Sequence, residues 1–159
     1  MIKVKIQVRE ALFEAAQEVH EKIPEFEKEY LTERFRERCQ DGRNTEDAHA
    51  LVLVAYLDDA MLDHAAAGYL IGYDRFMDGS FYVWMAGVVP GHRRKGVLSA
   101  MMGYAEEWAR GRGFFSLKIK TRNSRREILE YLVKHGFNII WFEKRENARD
   151  SRVLMQKTF

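Results

Sequence analysis

The stretch VVPGHRRKGVLSAMM, Val88–Met102, places an apolar run and a proline before Arg93-Arg94-Lys95-Gly96, and a helical pattern follows. Helices usually open on Ser, Thr, Asp or Asn, whose side-chain oxygen accepts from the free N–H groups of the first turn. This one offers no such oxygen. A strand that turns through glycine into a helix leaves several N–H groups converging on one point. The helix dipole adds about half a positive charge there. The pocket therefore favours an anion, and a phosphate oxygen would replace the missing cap. Gly96 keeps a Cβ out of the ligand's way, and Arg93, Arg94 and Lys95 would add charge-assisted contacts at the rim.

Composition bounds what that anion belongs to. The 159 residues, 47% of them hydrophobic, suit one domain over 1–159 with a sizeable core. No repeat, linker or low-complexity tract interrupts the chain. Cys39 is the single cysteine, which excludes an internal disulfide and makes a reducing cytoplasm the default location. His20, His49, His64, His92 and His135 lack paired ligand spacing, so no metal is expected. No segment has the apolar length of a signal peptide or a membrane span, so no membrane partner is expected. A net charge of +2, from 26 basic and 24 acidic residues, argues against nucleic acid as partner. The cations cluster instead at Arg93–Lys95 and along KIKTRNSRR, Lys118–Arg126, which suits a compact polyanion.

Apolar periodicity predicts the order β-α-α-β-β-β-α-β-α-β-β. Ile2–Val8 alternates as a strand. Leu12, Ala16, Val19 and Ile23 mark a helix closed by Pro24. A second helix over Glu25–Cys39 carries the stripe Leu31, Phe35 and Cys39, placed against the edge of a sheet, and Gly42 ends it. Strands follow over His49–Leu57, Ala65–Phe76 and Ser80–Val89, with Met61–His64 unassigned and Asp78-Gly79 favouring a tight hairpin. Leu98, Met101, Ala105 and Trp108 mark a helix stopped by Gly111. After a strand over Phe115–Thr121, a helix over Ser124–His135 turns Ile128, Leu129, Leu132 and Val133 inward. NIIWFEK and RVLMQKTF form a closing hairpin. Met101, Met102, Trp84, Trp108 and Trp141 read as core, and His92 as solvent-facing. The economical packing is a mixed sheet with helices on both faces.

Neither the Walker spacing nor the three-glycine dinucleotide fingerprint occurs. Arg93 to Leu98 resembles instead the Arg/Gln-x-x-Gly-x-Gly/Ala signature of the GCN5-related N-acetyltransferase (GNAT) family. Val88-Val89-Pro90 before it, and Asn123 and Gly136-Phe137 after it, follow the family order, so the likeness covers nearly the whole chain. One departure stands out: the second small position of the signature holds Leu98. The resemblance implies an α/β (α+β) fold of the acyl-CoA N-acyltransferase type, with a mostly antiparallel sheet of about seven strands and helices on both faces. It implies acetyl-coenzyme A as cosubstrate and direct transfer to a primary amine of a small molecule or peptide.

Site roles follow from the same resemblance. Strands Phe81–Val89 and Phe115–Thr121 would splay and admit the pantetheine arm along Val88 and Val89. The Val88 N–H would polarise the thioester carbonyl, an oxyanion-hole role. The backbone of Gly96, Val97, Leu98 and Ser99 would wrap the diphosphate. Asn123 would meet the arm or cap the next helix, and Arg125 or Arg126 the 3′-phosphate. The strand before the signature has no carboxylate, so a general base must come from elsewhere or from water. The family's general-acid tyrosine falls on Leu132, which leaves its neighbour Tyr131 as candidate. Tyr82 and Trp84 share a strand face opposite Phe81 and Val83, and could line a site for a hydrophobic or cationic amine. Acceptor choice would lie in Arg9–Asn44, where Glu18, Glu21, Glu25, Glu27 and Glu29 either attract a cation or form a solvated face. The C-terminal strands offer a homodimer contact. Two rivals are a non-catalytic acyl-coenzyme A-binding member of the fold and, opposed by the balanced charge, a nucleic-acid-binding module.

Overall fold

The computed structural model describes residues 5–27, 29, 31–40, 50–59 and 62–159, and their elements follow the expected order. The strands are β1 (Lys5–Glu10), β2 (Leu51–Asp59), β3 (Leu62–Tyr73), β4 (Ser80–Val88), β5 (Ser116–Arg122), β6 (Asn138–Glu143) and β7 (Arg152–Thr158). They form one seven-stranded sheet in the order β1-β2-β3-β4-β5-β7-β6. The helices are α1 (Phe13–His20), α2 (Leu31–Phe35), α3 (Val97–Gly111) and α4 (Arg126–Lys134). Only β4 and β5 pair in parallel, because α3 carries the chain back across the sheet between them. β7 inserts between β5 and β6, antiparallel to both.

Side chains alternate across each strand, so the sheet buries both faces. On one face α3 and α4 cover Leu53, Leu70, Phe81, Leu117 and Met155 with Met101, Ala105 and Leu132. On the other, α1 and α2 pack Ala16, Val19, Leu31 and Phe35 onto Val54, Tyr69, Ile71 and Tyr82. Burial of each large side chain contributes on the order of 2 kcal/mol.

Several local expectations are corrected. Helix α2 starts at Leu31 rather than Glu25 and continues as a π-helical turn over Arg36–Gln40. Its stripe of Leu31, Phe35 and Cys39 packs on the sheet's face against β2, β3 and β4, not on an edge. β1 runs on to Glu10, and the expected Ile2–Val4 part, the Gly42 stop, His49 and Met61 lie outside the described residues. β3 begins at Leu62 and stops at Tyr73, short of Phe76. The connection to β4 is a six-residue loop over 74–79 rather than a tight hairpin. It contains two left-handed residues, Met77 (φ 53°) and Gly79 (φ 90°), and Asp78 folds back to accept from the Ser80 N–H. Helix α3 ends at Gly111 as expected, but the left-handed residue that closes it is Gly113. At φ 87° Gly113 donates to Arg110, while the Phe114 N–H reaches the Ala109 carbonyl, the double bond of a Schellman stop.

Other corrections concern exposure. Val133 is exposed on α4, while Leu132 is buried and Ile128 and Leu129 are half-buried. Trp141 is also exposed, together with Ile139, Ile140 and Phe142 on the edge strand β6. Among the described residues no helix is long and apolar enough to cross a membrane.

Candidate active site

The parallel pairing of β4 with β5 covers only Ser80–Val83 against Ser116–Ile119. Beyond that point the strands part. β4 follows β3 through an irregularity at Trp84, where Val83 pairs with Gly72 and Met85 with Ile71. That extra residue is a bulge, which bends and twists a strand. β5 meanwhile stays in register with β7 through Arg122. A gap opens through the sheet, and two adjoining cavities meet there, sharing Ala86, Leu98, Arg125 and Tyr131 in their walls.

The cavity on the α3 face has a volume of about 500 Å³ and is lined by Val88, Arg93, Gly96, Leu98, Ser99 and Tyr131 among others. Helix α3 opens on it through Gly96, at φ 87° and with no side-chain cap. The first helical bond is Ala100 N–H to the Gly96 carbonyl, so the N–H groups of Val97, Leu98 and Ser99 have no helical acceptor. Helix α4 opens on the same cavity through Arg125, also without a capping oxygen. Two uncapped helix N-termini thus face one space, and their dipoles add. Val89 donates its N–H to Ala67 on β3 at 2.8 Å. Strand alternation then turns the backbone groups of Val88 away from β3, toward the gap.

Arg93 is held on three sides. Its Nε donates to the Val88 carbonyl at 3.1 Å, and its terminal nitrogens form a fork with Glu25 at 3.1 and 2.7 Å. The Arg93 guanidinium, above all through this hydrogen bond, draws the Glu25 carboxyl below its ordinary value. Arg94 is left-handed at φ 63° and reaches Glu127 at 3.7 Å. Arg94, Val97 and Arg126 line the cavity too, whereas Lys95 and Val89 do not. Leu98 packs half-buried against the core beside the cavity, so its side chain turns toward protein.

His92, expected from the sequence to face solvent, is instead half-buried. It ends the 3₁₀ turn Pro90–His92, lines the cavity, and buries its Nδ1 without a partner. The signal was its position immediately before the paired cations Arg93 and Arg94, but a lone histidine gives no spacing to read. An orphaned ring nitrogen beside uncapped helix N-termini fits a phosphorylated ligand. The residues present therefore suit the diphosphate of a coenzyme.

Asn123 stands apart from both cavities. Its amide donates to Ala148 and its N–H to Ser151, which fastens the β6–β7 loop. It does not cap α4, because Arg125 takes that position.

The second cavity, about 580 Å³, lies between α2, β4 and the ends of β5 and β7, and reaches through the gap to Leu98 and Met102 of α3 and Leu132 of α4. Tyr82 and Trp84 both line it, but each ring already carries a guanidinium: Arg75 over Tyr82 at 4.9 Å and Arg38 over Trp84 at 5.1 Å. Glu25 and Glu27 are its carboxylates. His20 is buried at its wall, where Nε2 donates to the Glu27 carbonyl at 2.9 Å and Nδ1 meets the Tyr69 hydroxyl at 2.6 Å. Burial raises the Tyr69 phenol above its ordinary value, so it stays protonated and donates. Tyr131 lines both cavities, stacks on His135 at 4.0 Å, and has no hydroxyl partner among the described residues. Among those residues no cluster of His, Cys, Asp or Glu could hold a metal.

Solved structures show the same fold. The ribosomal-protein-S18-alanine N-acetyltransferase from Escherichia coli aligns with a TM-score of 0.74 at 14% identity, over 97% of this chain and 94% of that one. The IAA acetyltransferase from Bacillus cereus gives 0.73 at 16% identity, over 98% and 100%. An acetyltransferase from Bacillus subtilis, solved with CoA, gives 0.69 at 16% identity, over 99% of each. No curated protein sequence matches the chain. The family model of the Acetyltransferase (GNAT) family matches residues 10–137. With most of its length matched and its sheet splayed beside an uncapped α3, this chain belongs to the GNAT acetyltransferase family.

Proposed function

We propose that this chain transfers an acetyl group from acetyl-coenzyme A to a primary amine of a small molecule or peptide, by direct attack in a ternary complex. The observation that carries the reading is the gap between β4 and β5 with uncapped α3 at its mouth. The coenzyme would supply the acetyl group as an activated thioester. The backbone N–H groups of Val97, Leu98 and Ser99, with His92 Nδ1 and Arg126, would bind its phosphates. The Val88 N–H would donate to the thioester oxygen as charge develops there. The Tyr131 hydroxyl would hand its proton to the departing sulfur.

No residue of β4 offers a carboxylate, and Glu25 is engaged by Arg93. A lowered carboxyl is a weak base, so the amine proton would leave through water or through Glu27 at the cavity wall. The same shortage of bases favours a second reading, in which the chain binds acyl-coenzyme A without turnover.

One assay separates them. Acetyl-coenzyme A is incubated with a panel of primary amines while free thiol is followed, and coenzyme A binding is measured by calorimetry. Thiol release that needs both protein and amine supports transfer. Binding without release on any amine supports the regulatory reading, and no binding contradicts both.

The homodimer implied by the resemblance would use the edge strand β6, whose unpaired ladder and apolar Ile139–Phe142 run complement a second copy. Sedimentation should then show a dimer that Ile140→Lys converts to monomer. A monomeric native chain would contradict it.

A further inference from the structure

Where the second cavity meets the ends of β5 and β7, it is walled by cations. On β5 and β7, Arg122 stands directly across from Arg152. Like charges in that relation lie about 5 Å apart at Cβ and repel. Glu143 stands across from Arg152 on β6, yet its carboxylate is shared by Lys120 at 3.6 Å and Arg145 at 3.4 Å. Arg125 leans over Phe26 at 5.3 Å on the facing wall. All of these arginines line the one cavity. Among the described residues, Arg122, Arg125 and Arg152 have no carboxylate within salt-bridge distance.

A sheet stabilised only for its own sake would set a carboxylate opposite Arg122. Here it sets another arginine, at the mouth of a cavity; Arg152 donates one N–H to the Asp150 carbonyl, and the pair's remaining N–H groups are left for a ligand. Burial first, and then the charge of Arg122, draws both Arg125 and Arg152 below the usual guanidinium value. The faces of Tyr82 and Trp84 already hold Arg75 and Arg38, so neither of these rings is left for a cationic group to rest on. A purely cationic acceptor would be repelled, whereas an amine that also bears an anion would be drawn in and oriented.

We propose that Arg122 and Arg152, flanked by Arg125 and Arg145, hold the carboxylate or phosphate of a small amine acceptor, with its amino group directed into the gap between β4 and β5. Paired guanidinium forks match either anion bidentately. The inference rests on the acetyltransferase reading and names its acceptor class.

The test compares matched acceptors, β-alanine with propylamine and O-phosphoethanolamine with ethanolamine, by thiol release. In parallel, calorimetry titrates β-alanine and O-phosphoethanolamine into protein saturated with coenzyme A. The anionic member of at least one pair should exceed its partner in kcat/KM by about tenfold or more, or bind saturably to the loaded protein. Arg122→Gln and Arg152→Gln should erase that preference, leave coenzyme A affinity within about twofold, and keep or raise the thermal midpoint because repulsion is relieved. A merely structural pair would instead lower the midpoint. Equal or inverted rates with no saturable heat from either anion would overturn the inference, as would variants that weaken coenzyme A about tenfold and so assign the cluster to the coenzyme. If the coenzyme binds and the anions do not, the inference alone falls. If the coenzyme itself does not bind, the acetyltransferase reading falls and takes the inference with it.

Discussion

Glu25 and Arg93, 68 residues apart in sequence, close a two-pronged ion pair that ties the loop after α1 to the turn before α3. Because the Arg93 Nε also donates to Val88, this one guanidinium links the loop after α1, the end of β4 and the turn that opens α3. Each side chain is 39% exposed, so solvent screens the pair to about 1 kcal/mol at most. Glu25→Gln should therefore cost about that much in denaturant unfolding at pH 7. Its carboxyl is lowered in the fold, so the contribution is present above the ordinary carboxyl range and fades as pH falls through the lowered value. The native and Glu25→Gln curves should converge as pH falls through that lowered value; a constant difference would contradict the assignment.

Asp78 fastens the loop between β3 and β4. Its carboxylate accepts from Lys118 Nζ at 2.7 Å and from the Ser80 N–H at 3.0 Å. The hydrogen bond from Lys118, followed by that from Ser80, holds the carboxyl down to about 2 against an ordinary 3.8. Discounted for exposure, the folded form gains about 1 kcal/mol from this above pH 4, lost as pH falls toward 2. Asp78→Asn should lower stability at pH 7 by about that amount and flatten the acid limb of the stability curve.

Gly96 and Arg94 test the cradle's backbone. An added Cβ at Gly96 would meet only Ile6 Cδ1, at an ordinary 3.6 Å, so the cost of Gly96→Ala arises from its φ of 87°. That cost is about 1–2 kcal/mol, and coenzyme A affinity should fall with it. Arg94 already holds φ 63° with a side chain, so Arg94→Gly should be close to neutral in thermal unfolding.

Tyr131 and Leu132 are adjacent on α4 and point apart by about 100°. Leu132 is 1% exposed in the core, and Leu132→Ala should destabilise by about 2–5 kcal/mol. Tyr131 faces the cleft, and Tyr131→Phe should leave the melting temperature unchanged while kcat falls about 100-fold or more. A kcat within a factor of about two would remove Tyr131 from the proton path.

The element order was legible because each strand and helix keeps its own apolar period, and the cap-free Arg93–Gly96 turn marked the site. What stayed hidden depends on register and on pairings distant in sequence. The bulge at Trp84 that opens the sheet has no local signature, and Arg122 meets Arg152 only because β7 inserts beside β5. The Asp-Gly pair suggested a tight hairpin, but the Asp78 side chain is drawn to Ser80 and Lys118 and a longer loop results. Val133 read as inward because it is apolar, yet α4 turns Leu132 to the core and leaves it outside. Tyr82 and Trp84 were placed on their shared face correctly, while the arginines covering them come from α2's extension and the β3–β4 loop.

A crystal structure of the chain with coenzyme A tests the central claim most directly. The diphosphate should lie within hydrogen-bonding distance of the Val97–Ser99 amides, with the pantetheine arm passing between β4 and β5 toward Val88. Density for the coenzyme lodged elsewhere, with those amides facing only water, would contradict it.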